Sequence, residues 1–184
     1  MVDPVEVWHN EHAHFSRLLK ILDQQVITFY EGLHPNYDLM RNIVYYLRHF
    51  SDRFHHPRED VAFARLVRRD PAMRLPVNRL LQEHRVIAVA GDGLMRCLDD
   101  VAADAMVERS RLEAAAAAYL VYYRHHLATE EQEVLPRAAQ VLTKSDWQAV
   151  AAAVPQGADP LFGEESEARY RELRRHLALE ARTS

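Results

Sequence analysis

The chain has 184 residues, 48% of them hydrophobic and 27% charged, with a formal net charge of −4, an ordinary balance for one soluble domain with a real core. That charge implies no general attraction to nucleic acid or an anionic membrane, and no apolar run reaches the roughly 20 residues of a membrane span. The single Cys97 excludes an internal disulfide and a cysteine-based zinc or iron–sulfur site.

Glycine is scarce, and Ala, Leu, Arg and Glu dominate, which favours helix throughout. The opening residues Met-Val-Asp-Pro-Val-Glu carry neither the basic nor the apolar region of a signal peptide, so the cytoplasm is the expected location. Asp3-Pro4-Val5-Glu6 reads as a helix start, with Asp as N-cap and Pro at the first helical position. Trp8, Phe15, Leu19, Leu22, Val26 and Phe29 then form one stripe, ended by Gly32. On the wheel His12 lies roughly 50–60° from the stripe centre, whereas His9 and His14 lie roughly 100° or more away.

A second helix starts near Tyr37-Asp38 with Ile43, Leu47, Phe50 and Phe54 inward, and ends near Arg68-Arg69-Asp70-Pro71. The wheel favours His55 over His56 as the inward residue, although Pro57 disturbs the angles beyond it, and His56 with Asp60 stays open as the alternative. A third helix runs to about Val101, with Val77, Leu80, Ile87, Leu94 and Leu98 in its stripe and His84 among them. A fourth runs from about Asp104 to Gln140, with Leu112, Ala116, Leu120, Tyr123, Leu127 and Val134 inward. There His126 lies roughly 90° from the face centre and His125 roughly 170°. Pro136 kinks or ends this helix. Thr143–Trp147 opens a short helix ended by Pro155-Gln156-Gly157, and Asp159–Gly163 is a turn. The last helix has Tyr170, Leu173 and Leu177 on one side, too few for core, so it packs across the bundle or against a second subunit.

The histidines carry a repeat. Glu11-His12 precedes His55-x-x-x-Glu59, and Glu83-His84 precedes His126-x-x-x-Glu130, with each pair displaced by about 71 residues. Residues four apart share a helix face, so each His–Glu pair can grip one metal, or two if the carboxylate bridges. The expected fold is all-α: an up-down-up-down four-helix bundle over residues 1–142, with short C-terminal helices over 143–184. Its inward His12, His55, Glu59, His84, His126 and Glu130 form a plausible two-metal set. Glu11 and Glu83 stand where they can orient the histidine of a neighbouring helix, or are simple surface charge.

Glu11-His12, His55-His-Pro-Arg-Glu-Asp60, Glu83-His84 and His126-Leu-Ala-Thr-Glu130 resemble, in order and spacing, the hemerythrin-like (HHE cation-binding) family over about residues 5–140. Asp146-Trp147 and Asp159–Gly163 are similar to a bacterial subgroup of it. The resemblance implies two iron ions inside the bundle, bridged by carboxylates and an oxo or hydroxo group. His12, His55, His84 and His126 would be terminal ligands and Glu59 and Glu130 bridges. It also implies O2, NO or peroxide as the small ligand, with a sensing, buffering or scavenging role. The chain departs from the oxygen carrier at Ala88, where the carrier has a fifth histidine, and in its His-x3-Glu spacing on the fourth helix. Additional candidate ligands are His34, His56 and Asp60. Two other classes stand beside this reading: a ferritin-type di-iron oxidase, and a structural metal-binding bundle that docks a partner. A homodimer through the C-terminal helix is the expected assembly, without nucleic acid or membrane.

Overall fold

The computed structural model describes residues 4–154, 159–162 and 168–180, and among them every regular element is helical. The first, α1 (Pro4–Tyr30), buries Val5, Trp8, Phe15, Leu18, Leu19, Leu22 and Val26 along one side. Asp3, its expected N-cap, lies outside the described residues. Gly32 closes α1 at φ 76°, a conformation open to glycine without a Cβ penalty. The N–H groups of Leu33 and Gly32 then reach back to the carbonyls of Thr28 and Phe29, so the last turn is satisfied.

Asn36 starts the second rod, its side chain accepting the Leu39 N–H at 2.9 Å. Helix α2 (Tyr37–Tyr46), a π-helical stretch (Leu47–His55) and α3 (His56–Arg69) follow without a break. The wide turn has a local cause. Pro57 has no N–H to donate, and His56 just before it donates five residues back to the Ser51 carbonyl. The device recurs in the fourth rod, where α5 (Arg109–Thr129), a π-helical stretch (Glu130–Val134) and α6 (Leu135–Val141) are continuous. There Leu135 donates to the Glu130 carbonyl immediately before Pro136.

Between them lies α4 (Arg74–Ala102). The fourth rod begins at Arg109 rather than near Asp104. Asp104 sits at φ 55°, and the N–H groups of Ala105 and Asp104 return to the carbonyls of Asp100 and Val101, which spends residues 103–108 on closing α4.

Thr143 and Asp146 form a reciprocal capping box on α7 (Lys144–Ala153). The breaker Pro155–Gly157 and the turn residue Gly163 fall outside the described residues. Asp159 Oδ1 accepts the N–H groups of Leu161 and Phe162, and its Oδ2 accepts the Tyr46 hydroxyl at 2.9 Å. For α8 (Arg171–Glu180) the expectation of a helix outside the core fails: Tyr170 just before it, and Leu173 and Leu177 in it, are buried in the main apolar cluster. A helix with few apolar residues still joins a core when two of them, a turn apart, share the face turned toward it.

The buried apolar residues fall into two clusters. The larger runs through Phe15–Val26 of α1, Leu39–Phe50, Ile87–Leu98 of α4 and Leu112–Leu127 of α5. The smaller gathers Val5, Trp8, Ala62, Phe63, Leu66, Val77, Leu80, Val134, Leu135 and Ala138, with Leu142 and Val150. Between the two, on all four rods, lies a belt of buried histidine and carboxylate side chains.

Candidate metal centre

The belt is built from one short segment of each rod. His12 comes from α1, His84 from α4 and His126 from α5; His55 ends the first π-helical stretch, and His56 and Glu59 open α3. Glu130 opens the second π-helical stretch. On an α-helix adjacent residues stand about 100° apart, so only one of His55 and His56 is expected inside. The π turn alters that spacing, and both are buried, at 0% and 4% exposure.

Two groups of donor atoms lie within 4.8 Å of one another: His12, His55, Glu59 and Glu130, and His56, Glu59, His84 and His126. Glu59 belongs to both. Its Oε1 is 2.9 Å from His55 Nε2 and 3.3 Å from His12 Nε2, while its Oε2 is 3.5 Å from His84 Nε2. Glu130 spans the belt in the same way, with Oε2 3.5 Å from His12 Nε2 and Oε1 3.2 Å from His126 Nε2. Across the belt His12 Nε2 faces His55 Nε2 at 2.8 Å, and His84 Nε2 faces His126 Nε2 at 3.1 Å.

Behind each of these four imidazoles stands a carboxylate at Nδ1. Glu131 accepts from His12 at 2.7 Å, Glu11 from His55 at 2.5 Å and Asp60 from His84 at 2.8 Å; Glu83 Oε2 lies 3.4 Å from His126 Nδ1. The arrangement follows the repeat: Glu11, Asp60 and Glu83 each serve the next rod, and Glu131 on the fourth serves the first. A carboxylate at Nδ1 fixes the ring and leaves Nε2 as the donor facing inward, which is how metal-binding histidines are commonly held. The buried Arg58 guanidinium grips Glu11 at 2.7 and 2.8 Å.

The electrostatics ask for cations. Burial lowers the His12 pKa, yet Glu131, Glu59 and Glu130 overcome it and push it up to about 10. His84 is likewise pushed to about 10, against burial, by Asp60, Glu59 and Glu130. Burial raises Glu59, but His55, His12 and His84 hold it well below the usual carboxylate range. Even so, Glu59 Oε2 and both oxygens of Glu130 are buried with no hydrogen-bond donor. Carboxylate oxygens left so in a protein interior are costly unless a cation meets them. The donor set therefore fits bound metal cations.

The sequence pattern of the hemerythrin HHE cation-binding domain matches residues 3–138. The chain belongs to that family. Neither a curated protein nor a solved structure matches it. The hemerythrin match covers all four rods and every histidine of the belt.

In this hemerythrin domain His34 is exposed in the turn after α1 and belongs to neither donor group. His12 lies 18 residues before the end of α1, which puts that turn about 27 Å away along the helix. Asp60 is half exposed and serves His84 from behind rather than facing inward. His125 is exposed and pairs with Glu83 at 3.0 Å. A cleft of about 420 Å³ lined by His9, His12, Ala13, Leu127, Ala128 and Glu131 lies on the α1–α5 side, beside the outer carboxylate Glu131 and the buried His12.

Sequence reasoning misses Arg58, Arg48, Ser51 and Asp52, because no repeat partner marks them. Tyr123, read as core, does reach the belt: its hydroxyl donates to Ser51 Oγ at 2.6 Å, and Ser51 meets His56 Nε2 at 3.1 Å.

Proposed function

We propose that this hemerythrin-type domain holds two iron ions and binds O2, NO or peroxide as a sensor, buffer or scavenger. The observation that carries the reading is Glu59, one carboxylate shared by two groups of donor atoms. His12 and His55 would hold one ion and His84 and His126 the other, and Glu59 and Glu130 reach toward both histidine pairs. Mixed imidazole and carboxylate ligation suits iron.

An iron pair supplies electrons to a small oxidant and open positions for a diatomic. The chain supplies the rest. Its outer carboxylates fix the imidazoles, and Trp8, Phe15 and Phe63 keep bulk water from the belt. The cleft beside His12 admits a small molecule. A ferritin-type oxidase would want a carboxylate-rich set with Glu-x-x-His motifs, whereas five imidazoles converge here. A purely structural role leaves the shared carboxylate without a purpose.

The four rods run up-down-up-down in this reading, because they meet the two apolar clusters in alternating order along the chain. Residues 1–142 then form the metal-binding bundle and 143–184 an extension of it. The test is to mix anaerobic, ferrous-loaded protein with NO and, separately, with O2 in a stopped-flow spectrometer. An NO adduct and rapid oxidation by O2 are expected; no spectral change with either ligand would refute the reading.

A further inference from the structure

We infer that Trp8 and Trp147 form an electron path from the belt to the surface, which supplies an electron to peroxide when the iron has only one to give. The inference rests on the iron reading above.

These are the only two tryptophans of the chain, and they stand in line with a belt histidine. Trp8 lies one turn before His12 on the same face of α1 and is buried. Its indole meets the His55 ring edge-on, with centroids 6.2 Å apart. It also meets Trp147 edge-on, with centroids 5.3 Å apart, and Trp147 is half-buried. Both separations are those of rings in contact. The other buried members of this apolar cluster are aliphatic or Phe63, none of which gives up an electron as readily as indole.

The chain seats Trp147 with care. Its neighbour Asp146 completes the capping box of α7 and accepts from Arg65 and Arg69 of α3. Those contacts tie α7 to the helix that carries Glu59, and so hold Trp147 where Trp8 reaches it.

Peroxide takes up two electrons and two protons to become two waters. Where the iron supplies one electron, Trp8 supplies the other. Trp147 refills Trp8 and, being within reach of water, releases its N–H proton there. The deficiency then rests at the surface as a neutral indole radical, which a thiol restores by giving a hydrogen atom. The buried tyrosines are poorer sources, because an oxidised phenol must pass its proton to a base. The Tyr119 hydroxyl has no hydrogen-bond partner, and the Tyr123 hydroxyl meets only the hydroxyl of Ser51. Tyr46 does donate to Asp159, but Phe15 stands between its ring and His55.

Electron paramagnetic resonance and peptide mapping of the full chain test this. Iron-loaded protein, half-reduced with dithionite, is mixed with hydrogen peroxide and frozen. The native chain should give a tryptophan radical signal, and its Trp147 peptide should gain oxygen. Trp8→Phe keeps a ring against His55 and should lose both, although Trp147 is still in place. Trp147→Phe should strand the radical at Trp8, and Tyr46→Phe should change nothing. Met106, fully exposed, reports oxidant arriving from solution and should gain oxygen equally in every variant. Oxygen gain at Trp147 that survives Trp8→Phe would overturn this inference alone. So would a native iron-loaded chain that consumes peroxide without a tryptophan radical. A chain that takes up no iron would overturn the metal reading and this inference with it.

Discussion

The Nε2 atoms of His12 and His55 point at each other across 2.8 Å, from positions 43 residues apart in the chain. Each ring is fixed from behind, one by Glu131 and one by Glu11. Two nitrogens so aimed share one proton or one metal ion. Which of the two they share in solution governs the predictions below.

In the two-metal reading, removal of a shared carboxylate is felt by both ions. Glu59→Ala and Glu130→Ala should each abolish the two-metal site, as read by metal analysis after anaerobic iron loading. His125→Ala should leave metal content nearly unchanged, because the His125 side chain is exposed and pairs with the outer Glu83. Equal metal loss in His125→Ala and His126→Ala would show that the fourth rod is turned the wrong way.

In the metal-free protein the belt holds itself together with protons. His12 and His84 are pushed up to about 10 from an ordinary 6.5. A raised histidine contributes stability in full below its unfolded pKa, and loses it as pH rises through the folded value. Glu59, held low, contributes above the ordinary carboxylate range and loses that contribution as pH falls. The chelated protein should therefore melt progressively lower from about pH 7 to pH 10, by about 5 °C or more, since 1 kcal/mol is worth about 2–4 °C in a chain of this size. The iron-loaded protein should change less over that window, because the ions replace the protons. A melting temperature that is flat or rises across it in the chelated protein would contradict the account.

Asp146 offers a control away from the metal. It caps α7 through Thr143 and binds Arg65 and Arg69 of α3, at 3.2 and 2.5 Å. Asp146→Ala removes the cap and its tie to α3, and should cost about 1–2 kcal/mol in urea unfolding. Metal content should stay at the native level. Loss of iron in this variant would mean that the belt depends on α7.

Much of this was legible in the residues. The repeat of Glu-His and His-x3-Glu pairs names six of the seven inward belt residues, because a four-residue spacing survives any rotation of a regular helix. The starts of the second rod near Tyr37 and of the short helix at Thr143 were legible as well. Other features were not legible. The wheel allows one of His55 and His56 inside, but Pro57 induces a π turn that turns in both. The start of the fourth rod moved because Asp104 takes a left-handed conformation, which aspartate adopts more easily than most residues. α8 joined the core because burial depends on which face carries the apolar residues, not on how many there are. Arg48, Asp52 and Arg58 have no repeat partner, so only three-dimensional contact reveals them.

Iron stoichiometry after anaerobic ferrous loading tests the central claim most directly. The account predicts two ions per chain, and ligand-field spectra of ferrous ions in imidazole and carboxylate surroundings. One ion per chain, or none, would contradict it.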